Sequence, residues 1–112
     1  MRKNGLHIDT FGTKGWYKDG LAHRDDGPAI IYSDGTKYWY KDGMRHRDDG
    51  PAAIWSDGEQ QWYKNGLLHR DAGPAIVDEE GKEYWYKDGK PYEPSAHELM
   101  IWKMNEKERS TH

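Results

Sequence analysis

The sequence predicts an all-β repeat array: an elongated antiparallel β-meander of about two strands per 23-residue repeat, with one C-terminal capping α-helix. Three observations predict it. Trp-Tyr-Lys-(Asp/Asn)-Gly begins at Trp16, Trp39, Trp62 and Trp85, a constant step of 23, and His-Arg-Asp recurs at His23, His46 and His69 with the same step. Asp-Gly or Asn-Gly pairs separate short runs rich in Ile, Tyr and Trp, the pattern of strands joined by tight turns. Finally, 6 Trp and 8 Tyr return at fixed places in a chain whose mean hydropathy is -1.24. A composition with 33% charged residues would by itself favour disorder, but regularly spaced aromatics argue for an ordered, thin fold that buries mainly rings.

Residues 1–93 form the repeat domain, and they begin with a truncated unit, 1–15. The stretch from Ile8 to Trp16 aligns with Ile31 to Trp39 at the usual step, whereas Lys3-Asn4-Gly5-Leu6 aligns with Lys18-Asp19-Gly20-Leu21 at a step of only 15. The eight missing residues correspond to the Arg-Asp-Asp-Gly-Pro-Ala region. An array needs an atypical first unit to close its exposed end, and this one is suited to that. Units 16–38, 39–61 and 62–84 follow, then a partial unit, 85–93. Each carries turn signals expected to form two-residue type I′ loops: Asp19-Gly20, Asp42-Gly43, Asn65-Gly66 and Asp88-Gly89 in one set, Asp34-Gly35 and Asp57-Gly58 in the other, with Glu80-Gly81 a weaker member. The runs between them, such as 29–33 and 37–41, have strand length. Period-2 alternation puts Ala29 with Ile31, Ala52 with Ile54 and Ala75 with Val77 on one face, and points Trp39 and Tyr40 oppositely. One aromatic column is expected in the core and the other in the open; the pattern does not say which.

After Gly89 the repeat breaks into Lys90-Pro91-Tyr92-Glu93-Pro94. Ser95-Ala96-His97-Glu98 is a capping box, opening a helix within 94–109. Leu99, Met100, Trp102 and Met104 give it a broad apolar side, and Lys103, Glu106, Lys107 and Glu108 a polar one. It is expected to fold over the last strand and cover the sheet edge, with residues 110–112 fraying.

Net charge is -3 and the isoelectric point about 6.0, so no bulk positive field draws nucleic acid or an anionic membrane. The absence of Cys removes disulfides, thiolate zinc sites and a cysteine nucleophile. No apolar run approaches the ~20 residues of a membrane span, and Met1-Arg2-Lys3-Asn4-Gly5 lacks the apolar region of a signal peptide. A soluble cytoplasmic protein is the expectation. No catalytic serine, zinc-protease or phosphate-loop motif occurs, and equivalent residues on equivalent sites do not make the asymmetric constellation that catalysis needs. Neither an enzyme nor a cofactor is expected.

Three repeated features are candidates for function. Histidines 23, 46 and 69 stand in a column roughly 9–10 Å apart, too far to share a metal between repeats; a His with Asp25 inside one repeat is one reading, and a His that closes the turn on backbone beside Pro28, Pro51 or Pro74 is the other. Arg24/Asp26, Arg47/Asp49 and Arg70/Ala72 suggest a ladder in which Arg bridges to carboxylates of adjacent units, broken at Ala72. The Asp-rich turns lack calcium-loop spacing and are explained by turn chemistry. The aromatic columns, Tyr17, Tyr40, Tyr63 and Tyr86 or the Trp set, offer the rigid area that interfaces favour. The predicted binding residues are therefore Tyr17, Arg24, Trp39, Tyr40, Arg47, Asp48, Trp62, Tyr63, Arg70 and Asp71. Replacing Arg47 and Arg70 together by Ala is expected to leave folding nearly unchanged while weakening binding.

The unit Trp-Tyr-Lys-Asp-Gly-x-x-His-Arg, followed by Tyr32-x-Asp34-Gly35-x-x-Tyr38-Trp39, resembles the MORN repeat (membrane occupation and recognition nexus) in its divergent bacterial and viral form. The resemblance covers about residues 3–90 and departs at Arg-Asp-Asp-Gly-Pro-Ala, a variant similar to repeats of phage and giant-virus proteins. It implies a thin β-meander that scaffolds, binds proteins or dimerises; some bacterial relatives are labelled antitoxins. Phospholipid binding, linked to some members, does not carry over to an acidic chain without polybasic segments. The resulting expectation is a non-enzymatic module that binds a protein partner, such as a phage-borne or antitoxin-like inhibitor of a host protein, through an aromatic face and an Arg/Asp edge. The alternatives are a self-associating homo-oligomeric scaffold in which the helix docks, and an oligomeric sponge for nucleotides or small anions.

Overall fold

A computed structural model describes the backbone of residues 2–110 and the side chains as far as Asn105. Thr111 and His112, expected to fray, lie outside the described residues, as do the side chains of Glu106, Lys107 and Glu108; Ser110 ends the helix. The chain is an antiparallel array 52 × 26 × 20 Å in extent. Its strands are β1 (Gly5–Ile8), β2 (Lys14–Lys18), β3 (Leu21–Ala22), β4 (Ile30–Ile31), β5 (Lys37–Tyr38), β6 (Tyr40–Lys41), β7 (Met44–Arg45), β8 (Ala53–Ile54), β9 (Gln60–Gln61), β10 (Tyr63–Lys64), β11 (Leu67–Leu68), β12 (Ile76–Val77), β13 (Glu83–Tyr84), β14 (Tyr86–Lys87) and β15 (Lys90–Pro91), followed by helix α1 (Ala96–Ser110).

The main sheet runs β1-β2-β4-β5-β8-β9-β12-β13, with β3 paired to β2; the hairpins β6-β7, β10-β11 and β14-β15 stand apart. Each full repeat thus adds two strands to the sheet, as expected, and a separate hairpin beside it. The run 37–41 is not one strand. At Trp39 and Trp62 the chain leaves the sheet, their N–H groups donating to Ala52 O and Ala75 O at 2.7 Å; Trp16 makes the same bond to Ala29, but there β2 runs on unbroken. The hairpins form a second column, joined by Gly43 N–H to Ala22 O, Gly66 to Arg45 and Gly89 to Leu68, each 2.8 Å.

The two turn sets differ. Asp19, Asp42, Asn65 and Asp88 have φ of 49–51°, each followed by a glycine with φ between 79° and 83°, the two left-handed positions of a type I′ turn. The other set closes by three-residue loops rather than the expected two. Gly35 N–H reaches Tyr32 O and Tyr32 N–H reaches Thr36 O, with only Gly35 left-handed; the loops before Gly58, Gly81 and Gly12 repeat this. Here Asp34 accepts from the Thr36 N–H at 2.9 Å, a role that Asp9 and Asp78 take in the first and last copies.

Ala29, Ala52, Ala53 and Ala75 are fully buried, with Pro74 the largest side chain so enclosed. Both aromatic columns are half-buried, so neither is the core that the alternation suggested. Small residues fill the centre because the array is too thin to hold rings within it. The truncated unit closes the N-terminal end by substitution: the Asn4 side chain accepts from the Asp19 N–H at 3.0 Å, and Lys3 O accepts from the Gly20 N–H. The capping box forms as predicted, Ser95 N–H to Glu98 Oε1 at 2.9 Å and Glu98 N–H to Ser95 Oγ at 3.1 Å. Helix α1 reaches the last sheet strand through Trp102, yet Met100, Ile101 and Met104 remain exposed, so its apolar side is not buried as expected.

Candidate functional site

Each His-Arg-Asp segment follows a type I′ hairpin and folds back over the tryptophan that precedes it. The histidine closes a turn, but not the one beside the proline. His23 Nδ1 accepts from the Asp42 N–H, His46 from Asn65 and His69 from Asp88, each at 3.0 Å. Each histidine thus caps the type I′ turn of the next repeat. With Nδ1 occupied as an acceptor, the neutral ring carries its proton on Nε2 and donates it to Asp25, Asp48 or Asp71, at 3.0, 2.9 and 2.6 Å. That bond is the first cause that holds the Asp71 carboxyl below its ordinary range.

The arginines are built in, not held out as a free edge. The guanidinium carbons of Arg24, Arg47 and Arg70 lie 3.8, 4.0 and 3.9 Å from the ring centres of Trp16, Trp39 and Trp62. Their Nη1 atoms donate to Pro28, Pro51 and Pro74 O at 3.1–3.2 Å. Arg24 Nε donates to Asp26 at 3.0 Å, and Arg47 Nε to Asp49 at 3.1 Å. These pairs lie within one unit, which corrects the expected bridging between units. The glycine before each proline is set by this stack: a Cβ at Gly50 would come 2.8 Å from the Arg47 guanidinium carbon.

Between successive segments lie two equivalent clefts. The first, about 510 Å³, is walled by Arg24 and Asp26 on one side and Trp39, Tyr40, Arg47 and Asp48 on the other. The second, about 440 Å³, takes Arg47 and Asp48 on one side and Trp62, Tyr63, Arg70 and Asp71 on the other. Nine of the ten predicted residues thus come together along one row. Tyr17 does not; it lies at the N-terminal end against His7 and Lys3. The rim is acidic, Asp26 and Asp49 being 86% and 88% exposed, while Lys41 and Lys64 stand on the walls.

Sequence reasoning missed three groups. Lys41 and Lys64 occupy a repeated column and were legible there. Arg45 stacks on Tyr38 at 4.5 Å and on Tyr63 at 5.4 Å, with Trp55 beside Tyr38; its counterparts are Ala22, Leu68 and Pro91, so no periodic signal marks it. Trp102 of α1 stacks on Arg70 at 4.8 Å, meets Trp85 edge-on at 6.1 Å and donates its indole N–H to Glu83 at 2.9 Å. The signal for it was Ala72, the one unit in which the second Asp is absent.

No helix among the described residues is long and apolar enough to cross a membrane. No protein-family model, curated protein or solved structure matches the chain, and the site is read from its own geometry.

Proposed function

We propose that the chain is a non-enzymatic protein-binding module that grips one partner along the row of clefts, inhibiting a host protein by covering its surface. The observation that carries this reading is the pair of adjacent, equivalent clefts with half-buried tryptophan and arginine walls and a charged rim. Rigid aromatic area with a satisfied polar border is what a binding hot spot requires. A repeated site also suits an extended partner better than a single small substrate. An anion sponge is less supported, because each arginine already bonds to a proline carbonyl and two of the three hold their own aspartate.

The test is capture of a partner from host extract with the full chain, followed by hydrogen exchange on the complex. Protection is expected at 23–28, 39–41, 46–51, 62–64 and 69–71. Asp26→Lys with Asp49→Lys, both on the exposed rim, abolishes capture with little change in melting temperature, since each removes only an exposed ion pair. Protection elsewhere, or unchanged capture by the double variant, overturns the reading.

A self-associating scaffold is the second reading, favoured by Met100, Ile101 and Met104 standing exposed in sequence on α1, Met104 by 68%. Sedimentation velocity separates the two: a defined oligomer that Met100→Gln with Ile101→Gln dissolves supports the scaffold, and a monomer at high concentration rejects it.

A further inference from the structure

The array offers three equivalent positions between successive tryptophan segments, and two of them are the open clefts. The third is occupied by the chain itself. Trp102 enters between Arg70 and Trp85, stacking on the guanidinium and meeting the indole edge-on. Its contact with Gly73 is close enough that a Cβ there would lie 2.8 Å from Cζ3. The insertion is recorded in burial: Gly73 and Pro74 are buried, whereas Gly27, Gly50, Pro28 and Pro51 at the open positions are only half-buried. The third position therefore displays what a filled cleft looks like, down to a helix-borne tryptophan whose N–H meets an acceptor.

Resting on the protein-binding reading above, we infer that the two open clefts receive aromatic side chains, tryptophan best, from a basic helix of the partner, at helix positions i and i+7. The spacing follows from the repeat. Each unit adds two strands to the sheet, which sets successive clefts roughly 10 Å apart. Residues i and i+7 share a helix face and lie about 10.5 Å apart along its axis, whereas an i, i+4 pair spans only about 6 Å. The basic character follows from the rim. Asp25, Asp26, Asp48 and Asp49 are all exposed, while the nearby arginines are already bonded, so the partner's flanking charge is positive. The indole N–H finds an acceptor most readily in the second cleft. Gln60 there holds the place that Glu83 holds in the third, whereas the first has Lys37. The second cleft is accordingly the tighter of the two for tryptophan.

The test titrates isotope-labelled full-length protein with a synthetic Lys/Ala-rich helical peptide carrying Trp at i and i+7. Two control peptides carry Trp at i and i+4, or Ala at both positions. The expected result is movement of the Trp39 and Trp62 indole signals and the Arg24 and Arg47 Nε–H signals, with affinity about tenfold or more above either control, since two linked contacts bind together. Equal affinity for the Ala peptide, or no movement of those signals, overturns the inference. A second variant, Asp49→Ala with Gln60→Glu, copies Ala72 and Glu83 into the second cleft. It tightens the Trp peptide and leaves the Ala peptide unchanged; absence of that gain also overturns the inference. A captured host protein that protects the clefts while no Trp peptide binds would sink the aromatic helix and leave the protein-binding reading standing.

Discussion

At Arg47 one side chain holds three groups: the Trp39 ring, the Pro51 carbonyl and the Asp49 carboxylate. It is only 24% exposed. Removing it leaves the carbonyl without its charged donor and uncovers the indole, so Arg47→Ala is predicted to destabilise the fold by about 2 kcal/mol, read as the shift in urea midpoint. This reverses the expectation that Ala at 47 and 70 leaves folding intact. Arg47→Lys fails to rescue, because an ammonium has no planar face to stack and no second fixed donor. The sequence shows Trp39 and Arg47 as separate columns; their contact depends on the chain reversing at the Asp42-Gly43 turn and on His46 bonding back to the Trp39 carbonyl, which periodicity does not encode. A pH dependence belongs here too. Asp71 is held low first by the His69 hydrogen bond, and Asp34 first by the Thr36 N–H. A lowered native pKa means that the unfolded chain takes up protons first. This stability is thus complete well above pH about 4 and is lost as the pH falls through the native values. Asp71→Asn is predicted to be less stable than the natural chain at pH 7 and to converge with it as the pH drops below 4. A stability gap that stays constant down to pH 2 would refute this.

Among the elements, α1 was the most legible in outline and the least in docking. Ser95 and Glu98 announce its start because a capping box is a local device, needing only residues three apart. Its seat is not local: Trp102 meets Arg70, Gly73, Glu83 and Trp85, which come from two different repeats. The sequence puts Leu99, Met100, Trp102 and Met104 on one apolar side; Trp102 makes the stacking contacts and Leu99 is half-buried, whereas Met100 and Met104 stay exposed, as does Ile101. Two substitutions separate cap from seat. Ser95→Ala removes the N-cap and costs about 1 kcal/mol of helix stability, seen as lost helical signal by circular dichroism. Ala72→Asp restores the residue of the other units, placing a carboxylate where Trp102 covers Arg70. It is predicted to release the helix while the sheet stays folded, with a red shift of tryptophan emission and early amide exchange over 96–105. If emission is unchanged, Ala72 is not what admits the tryptophan.

The whole molecule is a sum of like contacts between neighbours, and that is why its architecture was readable. A step of 23 fixes the number of units, and the Asp-Gly turns fix where each hairpin reverses. The register between units is held by bonds that recur unchanged: His23 to Asp42 and His46 to Asn65, Gly43 to Ala22 and Gly66 to Arg45. What stayed hidden was how one run serves two sheets: Trp16 makes the equivalent bond to the Ala29 carbonyl within the unbroken strand β2, while the run 37–41 divides at Trp39, a difference the repeat itself does not announce. Nearest-neighbour construction makes a severe prediction. Deleting residues 39–61 joins Tyr38 to Trp62 and presents Asn65 to His23 in place of Asp42, so every connection between units has a substitute. The shortened chain is expected to fold, with one open cleft instead of two. It should also melt lower. Tyr38 would then face Ile76, where it now pairs with the fully buried Ala53, and the Arg45 stack on Tyr38 and Tyr63 is removed. Deleting only 39–50 puts the next hairpin half a period out of step, strands its turn away from any histidine, and should leave the chain unfolded. Thermal unfolding followed by circular dichroism distinguishes these outcomes. A cooperative transition for the half-period deletion, or none for the full-period one, would mean that long-range contacts rather than neighbouring units hold the array together.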